Sequence, residues 1–179
     1  MVNPKEESGI PCRSYRFAVI TMSDKGFRGE REDTSGAYLK AALSGAGFVA
    51  AGYRVVPDDL QAIVEVLHEM IDQQGIDLVV TTGGTGLSPR DVTPEAMSLV
   101  FEREIPGMAE AMRSASLLKT PRGMLSRGRA GSRGKSLIIN LPGSLKAARE
   151  NLEVVLPVIR HALEKIQGDP SDCGVMIAP

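Results

Sequence analysis

A glycine-rich loop is the first feature of the sequence that could do chemistry. Residues 83–86 are Gly-Gly-Thr-Gly and follow directly on a short apolar run. Glycine lets backbone N–H groups approach a ligand closely, and successive N–H groups ahead of a helix form a site for anions. The loop is no P-loop, since no Gly-Lys-Ser/Thr follows, and Pro89 stands where a dinucleotide-binding loop needs glycine. A plain tight turn is the alternative, but Ser88, Arg90 and Asp91 then supply a hydroxyl, a cation and a carboxylate.

Three aspartates follow the ends of three predicted strands: Asp24, Asp58 and Asp91. Ligands of open α/β sheets bind outside the carboxyl ends of the strands, so these side chains are expected to converge. Carboxylates beside a phosphate site suit Mg²⁺, which prefers oxygen ligands and bridges to phosphates. Asp58 could instead only cap the helix that follows it. His68 and His161 fall within predicted helices, and these loops contain no Ser-His-Asp or Cys-His set, so covalent catalysis is unsupported.

Short apolar runs alternate with helical patterns and predict the elements that must position these loops. Strands are predicted at residues 16–22, 49–56 and 77–82, with a helix between each pair. Further helices are predicted to begin at the N-cap Thr93 and to span residues 107–118. This alternation predicts an α/β fold of three layers, α/β/α, with a largely parallel sheet.

The end of the chain is predicted to form a hairpin and a long helix. Two strands, at residues 124–129 and 135–141, are joined by a glycine-rich turn at residues 130–134. Ser144 caps the final helix, which Pro157 should kink or restart. The chain is thus divided into a flexible arm at residues 1–14, one domain at residues 15–168 and a tail at residues 169–179.

Charge is distributed unevenly along the sequence. The net charge is −1, but residues 111–149 contain nine Lys and Arg and no acidic residue, which leaves −10 for the remainder. Such a segment implies an anionic ligand or an acidic partner, and a phosphorylated small molecule fits best. A solvated basic face is the alternative. Aromatic residues make up only 4% and Trp is absent, which argues against nucleic acid as a partner.

The composition also disfavours several other classes of protein. No apolar run approaches the roughly 20 residues of a membrane helix, so no membrane partner is expected. The first 15 residues lack the apolar core of a secretory signal. Cys12 and Cys173 are the two cysteines, which excludes a zinc motif and disfavours a disulfide framework. The expected location is therefore cytoplasmic.

The glycine-rich loop and its surroundings resemble a known signature. The sequence is similar here to the signature of molybdenum cofactor biosynthesis proteins of the MogA/MoaB type. The similar part comprises residues 79–86, four further residues, and then Asp-Val-Thr-Pro at residues 91–94. Further motifs occur in the order of that family: Ser23-Asp24, Asp33 with Ser35-Gly36, Pro57-Asp58, Pro106-Gly107, Leu125-Ser126-Arg127 and Asn140-Leu141-Pro142-Gly143. The resemblance covers residues 16–167, nearly the whole chain.

This resemblance implies a three-layer α/β domain that binds molybdopterin and is usually trimeric. Catalytic members of the family are molybdopterin adenylyltransferases, which use ATP and Mg²⁺ to make adenylylated molybdopterin and pyrophosphate. A homotrimer is expected, with weak support from the apolar residues Ile105, Met108 and Met112. Other proteins of molybdenum cofactor synthesis are further candidate partners. The alternative function is a non-catalytic homologue that binds or carries molybdopterin.

The resemblance also implies roles for individual residues. Asp58 and Asp91 correspond to catalytic carboxylates that hold Mg²⁺. Nucleotide binding is assigned to Ser23, Asp24, Gly83, Gly84, Thr85 and Gly86. Molybdopterin binding is assigned to Ser126, Arg127, Asn140, Pro142, Gly143 and Ser144. Because Asp58 and Asp91 are both present, the resemblance favours an active enzyme over a carrier.

Overall fold

The computed structural model of the protein describes residues 14–170. Within this range the strands are β1 (Arg16–Met22), β2 (Val49–Val56), β3 (Leu78–Thr82), β4 (Arg103–Glu104), β5 (Ala130–Arg133) and β6 (Ser136–Leu141). The α-helices are α1 (Asp24–Phe27), α2 (Thr34–Gly45), α3 (Leu60–His68), α4 (Thr93–Val100), α5 (Pro106–Leu117) and α6 (Leu145–Ile166). A π-helical segment, Glu69–Gln73, extends α3, and a 3₁₀-helix, Pro121–Leu125, follows α5. None of these helices is long and apolar enough to cross a membrane.

The six strands form one sheet in the order β2-β1-β3-β6-β5-β4. The first four strands are parallel, and β5 runs antiparallel to both of its neighbours. Met22 pairs with Val56, and Thr82 pairs with both Thr21 and Leu141, so the four parallel strands end at one level. Their carboxyl ends therefore deliver four loops to one edge of the sheet, and the strand order reverses between β1 and β3.

Side chains alternate along the central strands and form a hydrophobic core on each face of the sheet. In β1, Phe17 and Val19 pack on one face, whereas Ala18 and Ile20 pack on the other. Helices α2, α5 and α6 cover the first face, and α3 and α4 cover the second. The predicted three-layer α/β/α fold is confirmed.

The predicted hairpin near the end of the chain is wrong in its first strand. Residues 130–133 pair with β6 as strand β5, and the turn is at Gly134, whose φ is +54°. Gly131 is needed within this strand because a Cβ atom there would lie 2.6 Å from the ring of Phe101. Its glycine therefore marks close packing inside a strand, not a turn. Residues 124–129 instead form the end of the 3₁₀-helix and an irregular loop.

Three further predictions need correction. Of the two alternatives predicted for Pro157, a restart is wrong, because helix α6 continues through this residue, and a kink stays a prediction. Val92, not Thr93, occupies the N-cap position of α4, because the Thr93 hydroxyl is buried beneath Gly84. Met108 and Met112 are buried in the core of this chain, so they do not support a homotrimer. The predicted arm and tail lie mostly outside the described residues.

Candidate active site

The four parallel strands end at the same level, which brings the predicted site residues to one edge of the sheet. The N–H of Ser23, just after β1, donates to the carbonyl of Val56 at the end of β2 over 2.9 Å. The N–H of Gly83, just after β3, donates to the carbonyl of Leu141 at the end of β6 over 3.0 Å. The loops that carry Asp24, the glycines and the Pro142-Gly143 pair are therefore neighbours.

Asp24 and Asp58 hold each other through reciprocal hydrogen bonds. The N–H of Asp24 donates to Oδ2 of Asp58 over 3.0 Å, and the N–H of Asp58 donates to Oδ1 of Asp24 over 3.1 Å. Arg90 also binds Asp24, with Nη2 lying 2.8 Å from Oδ2. The hydrogen bond from Arg90, followed by that from the Asp58 N–H, lowers the pKa of the Asp24 carboxyl. The ends of β1 and β2 and the loop after β3 are thus joined through one carboxylate.

The two adjacent aspartates Asp58 and Asp59 have different roles in the structure. Asp59 caps α3, because its side chain accepts from the N–H of Ala62 over 3.0 Å. Asp58 is therefore free of capping, which removes the alternative that it serves α3 alone. Burial is the main cause that raises the pKa of the Asp58 carboxyl. The hydrogen bond from the Asp24 N–H lowers this pKa, whereas the charges of Asp24 and Asp91 raise it further. Asp58 and Asp91 thus lie within electrostatic reach of each other.

Residues 83–92 form the β3–α4 loop. Two glycines in this loop are required by its backbone conformation and by close packing. Gly83 has φ +108° and Gly84 has φ +63°, a region that favours glycine. A Cβ atom at Gly83 would overlap the carbonyl of Met22, and one at Gly84 would overlap the hydroxyl of Thr93. These glycines therefore let the loop pass tightly between β1 and α4.

Asp91 closes the β3–α4 loop from its far end. Its N–H donates to the carbonyl of Ser88, and its Oδ2 accepts from the N–H of Ser88, both over 2.8 Å. The next helix, α4, begins without a side-chain cap, and Pro94 in its first turn has no N–H to satisfy. The Asp91 carboxylate faces back into the loop, where it accepts from the Ser88 N–H and lies close to Gly86.

Arg127 is bound to the β3–α4 loop instead of standing free. Its backbone N–H donates to the carbonyl of Thr85 over 2.9 Å, and its Nε donates to the carbonyl of Gly86 over 2.8 Å. Its two Nη atoms bind the carbonyl of Asp91 and the carboxylate of Glu95. Ser126, also assigned to molybdopterin, is only partly exposed, and its hydroxyl accepts from Gly128 at 3.4 Å.

Asn140 lies beneath the site. Its side chain is fully buried, and Nδ2 donates to the Thr81 hydroxyl over 3.0 Å and to the Gly83 carbonyl over 3.3 Å. Its Oδ1 has no hydrogen-bond partner among the described residues. The hydroxyl of Thr82 donates to the carbonyl of Pro142 over 2.7 Å. Both side chains fasten the loops that follow β3 and β6.

A cavity of about 430 Å³ lies on the side of the sheet covered by α2 and α6. The N-termini of both helices line it, with Asp33 capping α2 and Ser144 capping α6. Ser35 joins the two helices by donating to the carbonyl of Gly143 over 2.9 Å. Thr21 lines the same cavity, and its hydroxyl is buried without a hydrogen-bond partner in the described part of the chain.

Sequence reasoning overlooked Thr21 and Arg31 as site residues. Thr21 lies at the end of the predicted strand 16–22, and the short apolar run there gives no sign that its hydroxyl faces a cavity. Arg31 lines the cavity and donates to the hydroxyl of Ser23 over 3.0 Å. The only available signal was the position of Arg31 just ahead of the Asp33 cap.

The basic segment is less uncompensated than its sequence suggests. Five of its nine cations form ion pairs with acidic residues, and only one of these pairs joins two residues of the same helix. The pairs are Lys119–Glu150, Arg127–Glu95, Arg129–Glu104, Arg133–Asp72 and Arg149–Glu153. The local excess of positive charge in the folded protein is therefore much smaller than in the linear sequence.

Comparisons with known proteins identify the family of this chain. A family model described as a probable molybdopterin binding domain matches residues 18–161. A molybdopterin adenylyltransferase of Helicobacter pylori strain J99 is 42% identical over 159 residues, which are 88% of this chain and 90% of that protein. A molybdopterin adenylyltransferase of Pyrococcus furiosus is 39% identical over 157 residues, 85% of this chain and 91% of that protein.

A solved structure gives the same result for the fold. The molybdopterin biosynthesis enzyme MoaB of Thermus thermophilus superimposes with a TM-score of 0.82 at 52% identity. The match covers 88% of this chain and 99% of that one. Similarity in sequence and structure thus extends over the glycine-rich loop and all the loops that surround it. The chain belongs to the family of molybdopterin-binding proteins of molybdenum cofactor biosynthesis.

Proposed function

We propose that this protein is a molybdopterin adenylyltransferase, which transfers AMP from ATP to the terminal phosphate of molybdopterin and releases pyrophosphate. One observation carries the proposal. Asp58 and Asp91 are carried by loops that meet at the carboxyl edge of the sheet beside the glycine-rich loop, where Arg90 binds Asp24, the hydrogen-bonding partner of Asp58. The relatives named molybdopterin adenylyltransferase support the same activity.

The β3–α4 loop is suited to the triphosphate of ATP. The N–H groups of Gly86 and Leu87 donate no hydrogen bond within the described residues, so they are available to phosphate oxygens. Neutral N–H groups stabilise phosphate oxygens without needing an added counter-charge. Ser23 and Asp24 lie at the adjoining end of β1, where Asp24 orients Arg90. We assign this side of the cleft to the nucleotide.

The transfer needs positioning more than a reactive side chain. A terminal phosphate oxygen of molybdopterin attacks the α-phosphorus of ATP, and the bond from that phosphorus to the bridging oxygen breaks as pyrophosphate leaves. No covalent enzyme intermediate is formed, so the reaction requires no nucleophilic side chain in the loops. Asp24 holds Asp58 in place through the reciprocal hydrogen bonds, and Ser88 holds Asp91.

The carboxylates of Asp58 and Asp91 fit Mg²⁺. Asp58 and Asp91 would hold the ion through carboxylate oxygens, the donor type that Mg²⁺ prefers. Among residues 14–170 no three His, Cys, Asp or Glu side chains could hold a metal by themselves. Mg²⁺ commonly binds through one or two carboxylates together with substrate phosphates. When bound, Mg²⁺ neutralises the charge that develops on the phosphates.

The cavity at the N-termini of α2 and α6 is suited to the molybdopterin side. The buried hydroxyl of Thr21 and the guanidinium of Arg31 offer donors to a polar ligand there, and Glu32 and Asp33 offer carboxylate acceptors. Gly143 and Ser144 line it, in keeping with their predicted role. Asn140 would act from beneath, by holding the Gly83 carbonyl.

The proposal is tested by incubating the purified protein with molybdopterin, ATP and Mg²⁺. Formation of adenylylated molybdopterin and an equal amount of pyrophosphate is the expected result, and Asp58→Asn should abolish both. Tight molybdopterin binding without pyrophosphate release would contradict the proposal and favour a molybdopterin carrier.

A homotrimer and a cytoplasmic location remain proposals. Since Met108 and Met112 are buried, exposed apolar side chains near the 3₁₀-helix, Leu118 at 90% exposure and Met124 at 63%, are better candidates for contact between copies. Sedimentation should give three times the mass of one chain. A monomer at micromolar concentration would contradict it.

A further inference from the structure

All three guanidinium nitrogens of Arg127 donate to the protein, which uses three of its five N–H groups. Nε is bound to the Gly86 carbonyl, and the two Nη atoms are bound to the Asp91 carbonyl and the Glu95 carboxylate. Glu95 belongs to α4, so Arg127 binds the β3–α4 loop near its middle and its end and also the helix that follows. A bidentate grip on a phosphate would compete with the contacts that these nitrogens already make to the loop and to Glu95.

The charge of Arg127 is also compensated inside the protein. Burial alone would raise the pKa of Glu95, but the hydrogen bonds from Arg127 and from its own backbone N–H, together with the charges of Arg127 and Arg129, lower it. Glu95 is therefore ionised near neutral pH and neutralises the guanidinium. This pairing makes Arg127 a poor attractor for a distant anion.

The contacts of Arg127 determine where the N–H groups of the loop point. The carbonyl of Thr85 is bound by the Arg127 N–H, and the carbonyl of Gly86 is bound by Nε. In a trans peptide the N–H of the next residue points opposite to the carbonyl. The N–H groups of Gly86 and Leu87 are therefore turned away from Arg127, and neither donates a hydrogen bond within the described residues.

We propose that Arg127 is a positioning residue for adenylyl transfer: it turns the N–H groups of Gly86 and Leu87 toward the nucleotide phosphates and fixes Asp91, and it does not bind molybdopterin. This inference rests on the proposed function, because the loop is taken to bind ATP. It replaces the role that the resemblance implies for Arg127. Glu95 then acts with Arg127 as the partner that keeps the guanidinium in place.

The test compares Arg127→Ala and Arg127→Lys with Arg129→Ala. Arg129 is the matched control, because it lies two residues away and binds Glu104, Ser98 and the Pro94 carbonyl without contacting the β3–α4 loop. Turnover, the KM for ATP, the Kd for molybdopterin and the melting temperature are measured for each. A purely structural role would move the melting temperature and leave the kinetic constants per folded molecule unchanged.

Arg127→Ala should lower turnover by roughly 10- to 100-fold and raise the KM for ATP, with the Kd for molybdopterin within about twofold of wild type. Arg127→Lys should not restore turnover, because one ammonium group cannot replace three donors in a planar fork. Arg129→Ala should retain turnover within about threefold. A tenfold weaker Kd for molybdopterin at unchanged turnover would overturn the inference, as would equal losses in Arg127→Ala and Arg129→Ala.

A binding measurement separates this inference from the proposed function. Titration with a non-hydrolysable ATP analogue and Mg²⁺ needs no turnover. If wild type forms no pyrophosphate, the proposed function fails, yet weaker analogue binding in Arg127→Ala than in Arg129→Ala would still support the positioning role. Equal analogue affinity in the two variants would overturn it.

Discussion

Neighbouring residues of the same type do different work at this site. Asp59 faces its own helix and caps α3, whereas Asp58 reaches across to the N–H of Asp24. Arg127 and Arg129 both bind side chains of α4 or its surroundings, but only Arg127 also contacts the carbonyls of the β3–α4 loop. Residue type alone could not have separated these roles, since each depends on the direction of one side chain.

Asp58 and Asp59 should give opposite results on substitution. Asp59→Ala removes the cap of α3 and should lower the free energy of unfolding by about 1 kcal/mol, with turnover per folded molecule unchanged. Asp58→Asn keeps an acceptor for the Asp24 N–H and removes an unfavourable charge, so stability at neutral pH should be kept while turnover is lost. Urea unfolding and turnover on the same preparations test both. Loss of turnover in Asp59→Ala would contradict the assignment of capping to Asp59 and of catalysis to Asp58.

Asp91→Asn should separate chemistry from binding. The amide oxygen can still accept from the Ser88 N–H, so the turn is expected to persist. The lost charge should lower turnover by roughly 100- to 1000-fold, about 3–4 kcal/mol. The free energy of molybdopterin binding should change by less than about 1 kcal/mol, because that substrate is assigned to the other side of the cleft. Wild-type turnover with a lower melting temperature would leave Asp91 a structural role only.

Elements with a strong local pattern were predicted well, and those that depend on distant pairing were not. Strands β1 and β2 match the predicted ranges because each is a short apolar run that ends before a capping residue or proline. Strand β5 carries a glycine and an arginine, and it is held by pairing with β6 on one side and with the two-residue strand β4 on the other. No local signal could reveal β4.

Gly131 should be intolerant of any side chain. A Cβ atom there would lie 2.6 Å from the Phe101 ring and 2.8 Å from the Arg103 carbonyl. Gly131→Ala is therefore expected to lower the free energy of unfolding by about 1–3 kcal/mol. Gly107→Ala in α5 is the control, because nothing lies within 4 Å of its added Cβ. Equal stability of the two variants in denaturant would contradict this account of β5.

Asp72 links the π-helical segment to β5 through Arg133. The hydrogen bond from Arg133, followed by that from His68, lowers the pKa of Asp72. A carboxyl group whose pKa is lower in the folded state stabilises the fold at pH values above its ordinary pKa of about 3.9. This stabilisation is lost as the pH falls through the lower pKa of the folded state. Asp72→Asn should therefore cost about 0.3–1 kcal/mol at pH 7, since the pair is partly exposed. In urea titrations this difference should shrink below about pH 4, and a constant difference would count against it.

For the molecule as a whole, motifs were more informative than composition. The loops named from the resemblance do meet at one edge of the sheet, because parallel strands place their carboxyl ends together. The charge argument was weaker, since five of the nine cations in the basic segment are paired in the fold. Sequence separation hides such pairs: Arg133 and Asp72 are 61 residues apart. The cavity that contains Thr21 also required the fold, because it is built from three separate segments.

The reciprocal bonds between Asp24 and Asp58 have a consequence for how the molecule opens. Each backbone amide is protected by the side chain of the other residue, although 34 positions separate them in the chain. Local opening of either loop breaks both bonds at once, so the two amides should exchange with solvent deuterium at similar rates. Asp24→Ala should speed exchange at the Asp58 amide as well as at position 24. The loops after β1 and β2 would then open as one unit, and the cleft would widen by a single motion that spans both strands.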